Sequence, residues 1–211
     1  MPTIEQAQAW YSATDPVHGF DHVLRVYHLA EKIGLALKAD LEVLRAAALM
    51  HDASGAHPGD EHGRANHEHQ SAGFAREILQ SEGWEDERIA AVLHCIRAHR
   101  YRGEERPQSL EAKILFDADK LDVVGAFGVA RTIGYAVQAG QPVFSAPSEQ
   151  FIETGEEQPG EPHSAYHEYL FKLQRVPDRL YTKPARDLAQ ARVRLMTDFF
   201  EGLRAEAEGT A

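Results

Sequence analysis

The text Met50-His51-Asp52 closes the apolar run Leu41–Met50, so an imidazole and a carboxylate stand side by side where a hydrophobic segment ends. Two other stretches carry donors of the same kinds: His18-Gly19-Phe20-Asp21-His22 before it, and Asp117-Ala118-Asp119-Lys120-Leu121-Asp122 after it. Neutral imidazole and carboxylate together suit Mn, Fe, Co, Ni or Zn, whereas all-oxygen sets favour Mg or Ca. His22, His51, Asp52 and one aspartate of the last stretch would provide two nitrogens and two oxygens, with coordination positions left for water. Hydrolysis needs such an open position, because water on the ion ionises near neutral pH while the ion polarises a phosphoryl oxygen.

Each residue also has a plainer role open to it. His22 could be an ordinary core histidine, and His51 could sit at a helix C-terminus for the sake of the dipole, although Asp52 is misplaced there. Asp117 and Asp119 are two positions apart, a rotation of about 200°, so both cannot reach one ion. Asp119 and Asp122 share a face with Leu115 and Ala126; rotation does not by itself say which of Asp117 and Asp119 faces the ion, and the other would be a hydrogen-bonded structural carboxylate.

The elements that must position these groups read as helices. A short one is predicted over residues 3–13, with Thr3 as cap, broken by Ser12-Ala13-Thr14-Asp15-Pro16. Val23, Val26, Tyr27, Ala30, Ile33, Gly34 and Leu37 recur at helical spacing from about Phe20 to Lys38. If that helix began early enough to include His18, its ring would share a face with His22, four residues on. Asp40 caps the next helix, which is apolar nearly all round and therefore buried. Residues 53–63 read as loop, followed by helices from about Asn66 to Ser81, Glu85 to His99, Ser109 to Asp122, Val129 to Ala139, 164–174 and 183–207. Gly125 and Gly128 loosen the text between two of these. Residues 140–162, rich in Pro, Gly and Glu without periodicity, read as a long loop or insertion. No β-alternation stands out, so the expectation is all-α, one domain over 1–211.

Charge and composition narrow the function. A formal net charge of −11 over 211 residues excludes binding a long nucleic acid through its backbone. It leaves room for a small anionic substrate, since local cations and a metal reverse the field within one cleft. No apolar run approaches a membrane span, the start lacks a signal peptide, and the single Cys95 is a buried small residue that fits a reducing cytoplasm.

In this order His22 … His51-Asp52 … Asp119 resembles the H…HD…D signature of the HD-domain metal-dependent phosphohydrolases. His-Gly-Phe-Asp-His-Val-Leu-Arg-Val at 18–26 is similar to the HDxxHxxRV opening of a bacterial subfamily of small HD hydrolases. Ile96-Arg97-Ala98-His99 resembles its fourth-helix histidine, and the text from Asp117 to Arg131 its DADRLDAIGAIGIAR block. The likeness continues at Thr182, Ala185, Arg186, Ala189 and Arg192 and covers nearly the whole chain outside 140–162.

This resemblance implies an HD-domain helical bundle that hydrolyses a phosphate ester, phosphodiester or nucleotide, with metal ligands at His22, His51, Asp52 and Asp119. The ion, Mn, Mg, Co, Ni, Fe or Zn, stays open. The chain departs from the pattern at Gly19, where the subfamily has Asp, and at Lys120, where it has Arg and bidentate geometry is lost. Ala53-Ser54-Gly55 follow the HD pair where some HD nucleotidases have a glutamate, so the general acid or base is unassigned. Asp52 is expected both to bind the ion and to orient the attacking water.

His18, His67 and His99 are candidates for proton transfer, phosphate contact or a second metal. Lys120, Arg100, Arg102 and Asp122 are candidates for substrate contact, with Arg25 and Arg131 as further cations that could equally form ion pairs. The expected partner is a small phosphorylated or nucleotide substrate, not a membrane. The oligomeric state is open, a homodimer included. Two competing readings are a two-iron oxygenase drawing on His67, His94 and His99, and a non-catalytic ligand sensor with a degenerate site. His94 and His99 diverge by about 140° on a straight helix, which counts against the first.

Overall fold

The computed structural model describes residues 1–11, 19–54, 66–100 and 105–211, which are helical with no strand among them. They form two compact units: Met1–Lys120 with Tyr181–Ala185, and Leu121–Leu180 with Arg186–Ala211.

The first unit is built on α1 (Ile4–Gln8), α2 (Phe20–Leu37), α3 (Leu41–Met50), α4 (His67–Ser81), α5 (Asp86–Ala98) and α6 (Leu110–Asp122), the last as far as Lys120. Seven of the ten α3 residues are buried, as its unbroken apolar text requires. It packs against α1, α2, α4 and α5. Asp40 starts α3 by accepting from the backbone N–H groups of Glu42 and Val43 at 3.0 and 3.1 Å. The preceding helix approaches closely at Gly34, where an added Cβ would stand 2.6 Å from Leu44 Cδ2. On α2 the buried residues His22, Val23, Val26, Ala30, Ile33 and Gly34 follow the helical period, so the helix that meets α3 with its apolar face also carries His22.

The helix expected over 3–13 is shorter, Ile4–Gln8. The chain leaves the helix so that Trp10 can set its ring edge against Phe74 at 5.2 Å and Tyr11 can reach Phe20 and the Leu49 carbonyl. His18 and Arg102, the break at 12–16 and most of the loop at 53–63 lie outside the described residues.

The second unit holds α7 (Ala126–Gln138), α8 (Glu149–Thr154), α9 (Ala165–Phe171), 3-10 turns at Leu173–Arg175 and Pro177–Arg179, and α10 (Lys183–Ala207) from Arg186 on. Gly125 and Gly128 tighten the start of α7 instead of loosening it. Gly125 has φ 83°, and a Cβ there would stand 2.9 Å from Arg192 Cβ; at Gly128 it would stand 2.3 Å from the Val123 carbonyl oxygen.

The long segment 140–162 contains α8, which the sequence text does not reveal. Ser148 caps it, Phe151 is buried against the His167 ring at 4.4 Å, and Gly155 ends it at φ 77°. Pro142 and Val143 carbonyls accept from the first N–H groups of α9.

Asp117 is fully buried and accepts from the backbone N–H groups of Tyr181 and Thr182 at 2.8 and 2.7 Å. Two charge-assisted hydrogen bonds there hold the approach to α10. Asp117→Ala is expected to cost about 3 kcal/mol, and Asp117→Asn less, since it keeps one acceptor. Thermal denaturation would show the alanine variant melting about 6–12 °C lower. An unchanged midpoint would remove this anchor from the account.

Candidate metal centre

Helix ends deliver the donors in the first unit. His22 lies in the first turn of α2, His51 caps the C-terminus of α3 with Asp52 next to it, His67 opens α4, and His99 caps the C-terminus of α5. Asp119 comes from within α6. All but His67 are buried.

Two rings are oriented by the same local device. His51 Nδ1–H donates to the Ala48 carbonyl at 2.8 Å, and His99 Nδ1–H to the Ile96 carbonyl at 2.5 Å. A helix end has carbonyls without intrahelical partners, and here a capping imidazole uses one of them. A carbonyl only accepts, so Nδ1 carries the proton and Nε2 is turned inward, the arrangement in which histidine binds metals.

The inward atoms converge on Asp52. Its Oδ2 stands 3.5 Å from His51 Nε2 and 3.8 Å from His22 Nε2. Its Oδ1 stands 3.3 Å from His99 Nε2 and 3.6 Å from His67 Nε2. Asp119 Oδ1 lies 3.5 Å from His22 Nε2. Among the described residues, His22, His51 and Asp52 form one group whose donor atoms lie within 4.8 Å of one another, and Asp52, His67 and His99 form another.

His51 Nε2 and Asp52 Oδ1 are buried and have no hydrogen-bond partner. Leaving two such atoms unsatisfied costs several kcal/mol, roughly 1–3 each, and a cation among them removes that cost. These residues therefore fit a divalent ion.

The electrostatics point the same way. Burial dominates at His51 and lowers its pKa from 6.5 to about 4, so the ring stays neutral and able to coordinate. At Asp52 burial alone would raise the pKa, but the imidazoles of His51, His99 and His67 reverse this and hold it well below the usual range. Asp119 follows the same pattern, burial being outweighed by Lys120, His22 and His99. At His99 burial opposes charge, yet the Asp52 and Asp119 carboxylates prevail and raise its pKa above 6.5. One buried ring is thus kept neutral and its neighbour, with ring centroids 5.1 Å apart, is disposed to hold a proton.

The candidate cations are engaged to different degrees. Lys120 Nζ meets Asp119 Oδ2 at 2.5 Å and lies over the Phe116 ring. Arg100 pairs with Glu68 at 3.1 Å, and Arg25 with Asp21 on the next turn of α2. Asp122 and Arg131 belong to the second unit, where they form an ion pair at 2.7 Å with Asp122 buried. His94 is turned to Glu105 at 2.5 Å and accepts from Gln108 N–H at 3.0 Å.

Two supporting residues escape a reading of the sequence. Tyr11 donates its hydroxyl to the Leu49 carbonyl at 2.9 Å, bracing the turn that carries His51 and Asp52. Glu68, nearly buried, stands 3.6 Å from His67 Nδ1 while bound to Arg100. Its place beside His67 in the sequence was the available signal, but adjacent helical residues ordinarily diverge.

A divalent ion at 100 times its Kd is expected to stabilise the protein by about 2.7 kcal/mol. Calorimetry or thermal melting should show this, and Asp52→Ala should abolish it. Proton linkage supplies a second expectation for the ion-free protein. Folded His51 takes up its proton near pH 4 and the unfolded ring near 6.5, so its contribution is complete above pH 6.5 and is lost as pH falls toward 4. His99 has the opposite sign, its contribution being lost as pH rises through its raised value. Urea midpoints measured across pH 4–7 should fall more shallowly on the acid side for His51→Gln than for the parent; equal slopes would contradict the neutral buried ring.

Comparison with known proteins agrees with this geometry. The family model described as HD domain matches residues 19–124. The YpgQ protein of Bacillus subtilis (strain 168) is 33% identical, covering 97% of this chain and 94% of that one. The crystal structure of Bacillus subtilis YpgQ in complex with ADP has a TM-score of 0.72 at 27% identity, over 99% of this chain and 100% of that one. A predicted HD superfamily hydrolase from an uncultured Thermotogales bacterium has a TM-score of 0.64 at 26% identity, over 96% and 90% of the two chains. With its paired histidine and aspartate at the end of α3 and its all-helical fold, the chain belongs to the HD domain family.

Proposed function

We propose that this chain is a metal-dependent phosphohydrolase that cleaves a phosphate ester or pyrophosphate bond of a small nucleotide-like substrate. The observation that carries the reading is the buried convergence of His22, His51, Asp52 and Asp119, with His51 Nε2 and Asp52 Oδ1 lacking any hydrogen-bond partner. The ADP held by Bacillus subtilis YpgQ supports a nucleotide as ligand. Bound to these four residues, Mn, Mg, Co, Ni, Fe or Zn would polarise a phosphoryl oxygen and acidify a water ligand.

The side chains do the rest. Asp52 accepts a hydrogen bond from the attacking water and so aims it. His99, whose pKa is held above the usual imidazole value, donates a proton to the leaving oxygen. Lys120, beside Asp119, and Arg100, beside His67 through Glu68, contact the phosphates. His18 and Arg102 remain further candidates for proton transfer or substrate contact, whereas Asp122, buried against Arg131 in the second unit, is read as an ion-pair residue. The protein works in the cytoplasm as one catalytic domain.

One observation favours a second reading. Each oxygen of Asp52 faces its own histidine pair, and Asp52, His67 and His99 would hold a second ion. Two irons per chain and oxygen uptake would establish an oxygenase and sink hydrolysis.

A panel of phosphomonoesters and nucleoside di- and triphosphates, run with Mg, Mn, Co and Ni, should reveal phosphate or pyrophosphate release. Asp52→Ala should abolish it; persistence would refute the metal-centred mechanism. His99→Gln should lower kcat by roughly 10²–10⁴-fold with ion content unchanged. Loss of one of two bound ions in that variant would instead assign His99 to a second metal.

A further inference from the structure

The turn carrying His51 and Asp52 lies past the end of α3, where the helical ladder stops and each backbone group needs another partner. His51 itself competes for one of the ordinary ones. Its Nδ1–H donates to the Ala48 carbonyl, to which the Asp52 N–H would bond if the helix continued. The Ala53 N–H reaches the Met50 carbonyl at 3.3 Å, the tighter closure common at helix ends. Side chains meet the groups on either side.

Ser71 meets those beyond the pair. It is fully buried on α4, one turn on from His67 and on the same face. A serine inside a helix often turns its hydroxyl back to the carbonyl one turn earlier. Here the hydroxyl serves Ser54: Ser71 Oγ accepts from the Ser54 N–H at 3.1 Å and donates to the Ser54 carbonyl at 2.9 Å. A hydroxyl has one proton and two lone pairs, so this one satisfies both backbone groups of a single residue. Burying it costs desolvation that an alanine would avoid. What it provides is a fixed distance between α4 and the turn.

Tyr11 holds the opposite flank. Its hydroxyl donates to the Leu49 carbonyl at 2.9 Å. Burial, together with the Asp52 carboxylate, raises its pKa well above the usual value, so the phenol keeps its proton, and the Asp52 backbone N–H is directed at its oxygen. Residues 49–54 are thus tied by one hydroxyl from the tail of α1 and another from α4. Between the ties stands Asp52, with Oδ2 facing His51 and His22 and Oδ1 facing His99 and His67 at 3.3–3.8 Å. A displacement of about 1 Å is enough to spoil a constellation of this kind.

We infer that Ser71 is a positioning residue of the centre: its hydroxyl, opposite that of Tyr11, holds the Asp52 turn against α4 so that one carboxylate meets all four imidazoles. Its effect on ion binding rests on the metal-dependent reading above, whereas the clamp itself belongs to the ion-free protein.

Amide hydrogen exchange of the ion-free protein reads the clamp. In Ser71→Ala the Ser54 amide should lose its protection, and in Tyr11→Phe the Asp52 amide, while those of Leu44 and Ala47 within α3 keep theirs. Calorimetric titration with Mn²⁺ reads the consequence: Ser71→Ala should weaken binding about 10–100-fold, as loss of a support behind a metal ligand does. Leu79→Ala, at a fully buried position about two turns further along α4, is the control. It should lower the melting temperature at least as much as Ser71→Ala, yet leave the Mn²⁺ affinity within about twofold. Equal protection of the Ser54 amide in the parent and in Ser71→Ala would overturn the inference. So would an unchanged Mn²⁺ affinity in Ser71→Ala, or an equal loss in Leu79→Ala, which would show a general loosening of α4. A parent that takes up no Mn²⁺ would fail the proposed function instead, and the exchange measurement then decides the clamp by itself.

Discussion

Around Asp52 the molecule brings together lone pairs that repel one another and shields them from water. Six side chains contribute, and the backbone is arranged to keep them there: carbonyls at the ends of α3 and α5 take the Nδ1 protons, so the Nε2 atoms are turned inward. A polar cluster of this kind is unfavourable by itself, because buried acceptors without donors forfeit hydration. The apolar α3 offsets this by packing against four neighbours, and Tyr11 ties the last turn of α3 in place. The stability of the unit and the geometry of the site thus depend on the same helix.

Much of this was legible in the sequence, for physical reasons that differ between elements. Helices α2 to α6 are long enough for the apolar period to be unambiguous, and Asp40 and Ser109 mark two of their starts with side chains that accept backbone N–H groups. His51-Asp52 stood out because a carboxylate at a helix C-terminus opposes the dipole. Short elements were harder. Six residues of α8 give no usable periodicity, and only the Ser148 cap and Gly155 hinted at it. Glycine was misread at 125 and 128 because a sequence does not reveal whether a missing Cβ serves flexibility or close contact; there it serves contact, with Arg192 and the Val123 carbonyl.

Choosing among aspartates depended on tertiary partners. Helical rotation separated Asp117 from Asp119 but did not say which faced inward. The structure gives Asp117 two backbone donors from the segment before α10, and gives Asp119 a neighbouring imidazole and ammonium. Tyr11 and Glu68 were invisible for the same reason, since each acts on a residue brought near by folding: the Leu49 carbonyl in one case, and Arg100 together with His67 in the other.

The capping of α3 and α5 by His51 and His99 also bears on the field at the cluster. Both helices aim their C-termini at the cluster, each bringing about half a negative charge to add to the two carboxylates. α2 and α4 bring N-terminal turns, at His22 and His67, that oppose this, so the carboxylates of Asp52 and Asp119 decide the sign. A cation is therefore drawn in, whereas an anion arriving first meets repulsion. For an anionic substrate of the kind proposed, the two carboxylates repel until the ion neutralises them, so its affinity would be conditional on the ion.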